Sequence, residues 1–163
     1  MNATAITGRQ IVDGVMLAAL ARCVLQVLLY EVVLLGFSAV TLASFVPLFV
    51  VSVAFGVAFS CVMLAVTAFV KEDDGFFAIV GRFILAPMFM FSGTFYPLEG
   101  LPFYLQWVGW ISPLWHSTQL GRQYTIGLVE PVWLTALHYL YFAVMFVVSM
   151  AIVYRAFVRR LGE

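Results

Sequence analysis

Residues 87–122 read PMFMFSGTFYPLEGLPFYLQWVGWISPLWHSTQLGR, and the fold turns on how this stretch is understood. An apolar helix of membrane length runs out at Tyr96 and Pro97. The chain then continues not as a polar loop but as two apolar, aromatic pieces punctuated by proline, 102–111 and 114–120. Each is far short of the roughly 20 residues that a helix needs to cross a bilayer. Short apolar segments of this kind read as re-entrant or interfacial helices, whose broken ends protein must bury. Tyr96, Tyr104, Trp107, Trp110 and Trp115 crowd the same stretch, and such rings prefer the membrane–water boundary. Two readings are open: an outer loop dipping among headgroups, or a lid over one end of a translocation path.

The rest of the chain is equally apolar. Hydrophobic residues make up 64% and charged residues 10% of 163 positions, where a soluble domain carries about 25% charged residues. The composition defines an all-α integral membrane protein. Four segments are long enough to span: 17–40, 45–70, 76–96 and 132–157. The expected architecture is therefore four transmembrane helices, with a re-entrant or interfacial helix pair before the last. Residues 1–163 are expected to form a single membrane domain. The first apolar run starts late, is long and lacks a small-residue cleavage site, so the N-terminus does not read as a cleavable signal.

Lys and Arg near the ends of crossings set orientation. Arg9, Arg22, Lys71, Arg82, Arg155, Arg159 and Arg160 fall on one side if both termini are cytoplasmic, leaving Arg122 alone on the far side. Both termini are thus expected inside and the Trp-rich stretch outside. The net charge is zero and the basic residues form no stripe, so no nucleic-acid partner is expected. Cys23 and Cys61 fall within apolar helices, as small buried thiols do. Ser52, Gly56 and Ser60 recur every four residues, a spacing that lets backbones approach closely in lipid. Gly36 and Gly81 are expected to serve the same end. Pro87, midway along the third crossing, should remove a backbone bond and kink it.

Several chemistries are missing. A P-loop needs Lys in a Gly-rich turn, and Lys71, the single lysine, is followed by Glu72, Asp73 and Asp74. No nucleotide site, other cofactor or metal is expected on this chain. Ser92 and His138 invite comparison with a serine–histidine dyad, but the simpler reading has His138 bonded to a neighbouring helix. His116, after Pro113, should top a short helix near the interface. Glu31 is the one acid deep in a crossing, about 13 Å in from Arg22. It reads either as a functional intramembrane acid or as a group bonded to a neighbouring Ser, Thr or Tyr.

The segment 4–20 is different again. Thr7 and Gln10 fit a capping box, and Ile11, Val12, Val15, Met16 and Ala19 trace an apolar stripe while Arg9, Gln10 and Asp13 point elsewhere. A helix from Gly8 onward would be ~45 Å long against a hydrocarbon core of ~30 Å. Its first turns should project into the cytoplasm, as a helix offered to a soluble partner would.

The run FSGTFYPLEGLPFYLQWVGWISPLWHSTQLGR resembles the signature of type-2 ABC exporter permeases, most of all the lipo-oligosaccharide and daunorubicin-type drug exporter branch. There the helix ends in a Ser-Gly-x-aromatic-aromatic-Pro turn, matched by Ser92, Gly93, Phe95, Tyr96 and Pro97. A Leu-Pro and a Leu-Gln come next, matched by Leu101, Pro102, Leu105 and Gln106. A Pro-Leu-x-His and a later Arg close it, matched by Pro113, Leu114, His116 and Arg122; Trp107 lies within the same external segment, 97–122. GRQIVDG at 8–14 resembles the family's cytoplasmic coupling region, which assigns Thr7, Arg9, Gln10, Ile11, Asp13 and Val15 to contact with an ATPase. The resemblance implies a permease of a bacterial cytoplasmic membrane that exports a lipid, glycolipid or hydrophobic drug. Its partners would be a separate ATP-binding subunit using ATP and magnesium, a second permease copy or paralogue, and membrane lipids. It also implies six crossings, of which this sequence would hold the last four. Half of a proton-coupled secondary transporter using Glu31, or a non-transporting scaffold, are the rival readings.

Overall fold

The computed structural model describes residues 7–70, 75–95 and 97–161. Among these there are six helices and no strand: α1 (Gly8–Gly36), α2 (Leu42–Thr67), α3 (Phe76–Phe91), α4 (Phe103–Ile111), α5 (Pro113–Thr125) and α6 (Val132–Leu161). A single 3-10 turn, Leu98–Gly100, precedes α4. The expected polar turn at Lys71–Asp74, the aromatic Tyr96 and residues 4–6 lie outside the described residues.

α1 begins where the capping box places it. The Thr7 side chain accepts from the Gln10 amide, and the Gln10 side chain accepts from the Thr7 amide. It ends at Gly36 rather than near residue 40, because Ser38 takes up a left-handed φ of 57° and Thr41 caps α2. α2 is apolar on every side, as a helix surrounded by neighbours must be. It packs on α1, α5 and α6. Gly56 lets α1 come close: a Cβ there would fall 2.3 Å from Cys23 Sγ. Gly36 and Gly81 do not do the same, since a Cβ at either meets nothing within 4 Å. The close approach fell instead to Gly109, where a Cβ would lie 2.4 Å from Leu98 Cδ1 and 2.8 Å from the Phe91 carbonyl oxygen.

α1, α2 and α6 are long and apolar enough to cross a membrane; α3 is apolar but shorter. At the α-helical rise it is about 24 Å long, below the ~30 Å of a hydrocarbon core. It stops at Phe91 because the next residues form a tight turn. Ser92 is fully buried and its hydroxyl donates to the Phe89 carbonyl, while Gly93 takes a φ of 76°. The disturbance that Pro87 demands takes the form of a π turn, Gly81–Leu85, just before it. A wider turn there accommodates the backbone bond that proline cannot make.

Two clusters hold the bundle. Val51 and Ala58 of α2, Leu120 of α5 and Phe142 of α6 form one. Val12 of α1, Ala65 of α2 and Val153 of α6 form the other, toward the end where α1 begins and α2 and α6 finish. Lipid tails are as apolar as leucine, so close packing rather than exclusion from water sustains such clusters. α5 is thus part of the core and not a surface loop. The bend between α4 and α5 lies well along α6: the Tyr141 hydroxyl donates to the Ile111 carbonyl, about two and a half turns beyond Val132. The far end of α5 returns to the start of α6, where Gln123 meets Glu130 and Thr135.

Candidate functional site

Two ends of the bundle carry the polar chemistry. At the first, α1 begins beside the ends of α2 and α6. Thr7, Arg9, Gln10, Ile11 and Val15 are all exposed, Ile11 at 37% and Val15 at 45%. Val12, on the same apolar stripe as those two, is instead 1% exposed and packs on Ala65 and Val153. Asp13 is engaged within the chain as well, accepting the Tyr154 hydroxyl. Helical periodicity explains the split, since Val12 faces α2 and α6 while Ile11 and Val15 flank that face.

The opposite end is built by α4, α5 and the start of α6. Pro113 supplies the first position of α5, where its missing N–H costs nothing. That places Trp115 and His116 in the first turns, pointing at α6. His116 is 4% and His138 0% exposed, and their Nδ1 atoms lie 2.6 Å apart. His116 Nε2 meets the Trp110 carbonyl at 3.0 Å, and His138 Nε2 meets Glu130 Oε2 at 3.2 Å. Gln123 donates to the same Glu130 oxygen at 2.8 Å. Tyr141 stacks on His116 with centroids 4.0 Å apart, and Trp115 stands edge-on to both imidazoles. Burial, and after it the neighbouring His138, lowers the His116 imidazole to about 4, against a smaller raising effect of the Trp110 contact.

Arg122 ties this group to α3: its guanidinium donates to the Gly93 carbonyl and to Gln119. Gln106 donates back to the Leu101 carbonyl at 2.9 Å, closing the start of α4. Of the other residues singled out in this stretch, Pro97 and Pro102 are exposed, Leu101, Leu105 and Pro113 half-buried, and Trp107 is 55% exposed. Trp110 and Tyr104 are exposed too, whereas Trp115 is buried, so not every tryptophan is a boundary ring. A cavity of about 430 Å³ opens beside the histidines, walled by Trp110, Trp115, Trp133, Glu99 and Glu130 among others.

Ser92 and His138 form no dyad. The Ser92 hydroxyl is bonded to Phe89 and Thr94, and both His138 nitrogens are occupied by His116 and Glu130. Sequence reasoning reached each histidine separately but missed the pairing and missed Glu130. Pro131 and the step from Glu130 to His138, two helical turns, were the available signal.

Glu31 is 1% exposed, and neither carboxyl oxygen has a hydrogen-bond partner among the described residues. The expected bond to a helix Ser, Thr or Tyr is not made. An unpaired buried polar group costs on the order of 1–3 kcal/mol. Glu31→Leu is therefore expected to raise the thermal midpoint by about 2–12 °C for a chain of this size, read by thermal unfolding in lipid nanodiscs. A lower midpoint would show that the acid is held by a favourable contact.

The fold and these sites define a multi-pass helical membrane protein with one end where α1 begins and one aromatic, histidine-bearing end. The chain belongs to the ABC-2 type transporter family, whose membrane domain matches residues 5–126. It is similar to Nodulation protein J of Rhizobium leguminosarum bv. viciae, with 32% identity over 108 residues, covering 64% of this chain and 40% of that protein. The chain thus spans less than half the length of that relative. No solved structure matches it.

Proposed function

We propose that this chain is the membrane permease portion of an ATP-driven exporter, with the ATPase docked at the exposed start of α1 and the α4–α5 hairpin closing the outer end. The observation that carries the reading is the family match over residues 5–126, which takes in both α1 and the hairpin. The exposed Arg9, Gln10, Ile11 and Val15 on a helix longer than a membrane supply the docking surface. The hairpin bend beside Tyr141, with α5 returning to the start of α6, is the geometry a re-entrant pair requires. On this reading α3 is the third of the four crossings, eked out by the Ser92–Phe95 turn and by the hairpin packed beneath it. Both termini face the cytoplasm of a bacterial cell, and ATP and magnesium are bound by the partner subunit alone. A second permease copy or paralogue completes the pathway, among membrane lipids, and the cargo is a lipid-linked saccharide or a hydrophobic drug.

The test is cargo efflux from right-side-out vesicles that hold the assembled permease and are loaded with cargo and nucleotide, together with topology reporters. ATP should drive efflux and a non-hydrolysable analogue should not. Reporters at Asp74 and Gly100 should report cytoplasmic and external positions. Efflux driven by a proton gradient without ATP would establish secondary transport instead, and both reporters on one side would end the topology.

A further inference from the structure

The histidine pair has a proton count that its contacts dictate. His116 Nε2 faces the Trp110 carbonyl, the two Nδ1 atoms face each other, and His138 Nε2 faces Glu130. A carbonyl oxygen only accepts, and so does an ionised carboxylate. Three contacts in series, closed at both ends by acceptors, need three hydrogens, whereas two neutral imidazoles bring one N–H each.

We infer that His116, His138 and Glu130 form a buried proton-binding site that holds one proton in common and thereby fastens the α4–α5 hairpin to α6. His116 donates through Nε2 to the Trp110 carbonyl and accepts at Nδ1 from His138. The shared proton then lies between His138 Nε2 and Glu130 Oε2, as imidazolium facing carboxylate or as neutral imidazole facing carboxylic acid. Either form leaves the trio with no net charge, which suits side chains 0% and 8% exposed for His138 and Glu130.

The groups around the trio do not supply the missing hydrogen. Tyr141, stacked on His116, directs its hydroxyl to the Ile111 carbonyl. Tyr139 on α6 meets Tyr124, and Arg122 on α5 is turned to Gly93 and Gln119. Gln123 donates to Glu130 but is an amide and does not titrate. Glu99, on the far wall of the cavity, is exposed. That cavity borders both His116 and Glu130, so the proton exchanges with the solution it opens onto.

Loss of the proton at high pH sets acceptor against acceptor at one of the three contacts. At low pH His116 gains a second N–H, and the Nδ1 pair becomes donor against donor. Because the folded surroundings lower His116, that end of the window is reached as pH falls from the usual 6.5 toward about 4. The inference stands apart from the exporter assignment, since a proton is counted without ATPase or cargo.

The chain has only two histidines, so imidazole signals from nitrogen-labelled full chain in nanodiscs belong to this pair alone. At neutral pH one ring should be neutral with a bare Nδ1, and one proton should be shared by the other ring and Glu130. Raising the pH should release one proton per chain and lengthen the distance between non-cysteine spin labels at Trp107 and Val144. Glu130→Gln is the sharper variant, because an amide N–H can donate to His138 Nε2 and restore three contacts with two neutral rings. It should fold, keep the label distance, and release no proton over the same range. Two neutral rings beside an ionised Glu130 at neutral pH would overturn the shared proton, as would a Glu130→Gln titration like that of the wild type. A label distance that stays fixed while the proton leaves would overturn the fastening.

Discussion

Ile11→Asp combined with Val15→Asp is expected to strip the ATP-binding subunit from the purified permease and to cut export at least tenfold. Both side chains are exposed near the start of α1, and neither belongs to the Val12 cluster that holds α1 to α2 and α6. The change therefore removes apolar anchors without disturbing the fold. Buried anchors dominate interface energies, commonly at 2 kcal/mol or more each, while rim charges mainly tune encounter and orientation. Arg9→Ala should accordingly weaken coupling by a few-fold at most. Val12→Asp is the contrasting variant: its position is closed, so it should lower the thermal midpoint rather than uncouple a folded permease. Co-purification and ATP-dependent efflux, measured in a full-length permease, distinguish these outcomes. A double mutant that keeps its ATPase and exports normally would remove the coupling role from this helix.

Gly109→Val is expected to displace α4 and abolish export while the three long helices remain inserted. A Cβ at Gly109 would lie 2.8 Å from the Phe91 carbonyl oxygen, a backbone atom, with both Leu98 methyls also inside 3 Å. Leu98 can rotate, but the carbonyl cannot move without unwinding the last turn of α3. Overpacking of this kind costs about 1–3 kcal/mol, and here the weakest joint of the bundle would carry it. α3 packs on α4 and α5, so a displaced α4 also loosens the Ser92–Gly93 turn and the Arg122 contact to it. Gly100→Val provides the control, because a Cβ there meets nothing within 4 Å. Labels on α3 and α4 should separate in the first variant and not in the second. Equal export by both would mean that the α3–α4 contact has no part in the transport cycle.

The membrane class was legible from composition, because no soluble chain tolerates so few charges. The broken hairpin was legible too: prolines 97, 102 and 113 interrupt apolar runs too short to span. Local rules also placed the Thr7 cap and the start of α5, since both depend on residues within one turn. Where sequence reasoning went astray, the deciding contact was remote in the chain. Gly36, Gly56, Gly81 and Gly109 look alike as letters, but only Gly56 and Gly109 have a neighbour pressed against them. Val12 and Ile11 are equally apolar, and the bundle alone decides which is closed over.

Residue content and spacing alone specify a helical membrane protein with a proline-broken segment before the last helix. Periodicity, length and proline chemistry act locally, so they survive being read in one dimension. It took the packing of the bundle to make α5 part of the core, to close Glu31 over without a partner among the described residues, and to bring His116 to His138 and Glu130. Those outcomes depend on which faces of α2, α5 and α6 meet. In lipid that choice is made by close packing and polar pairing, not by apolar content.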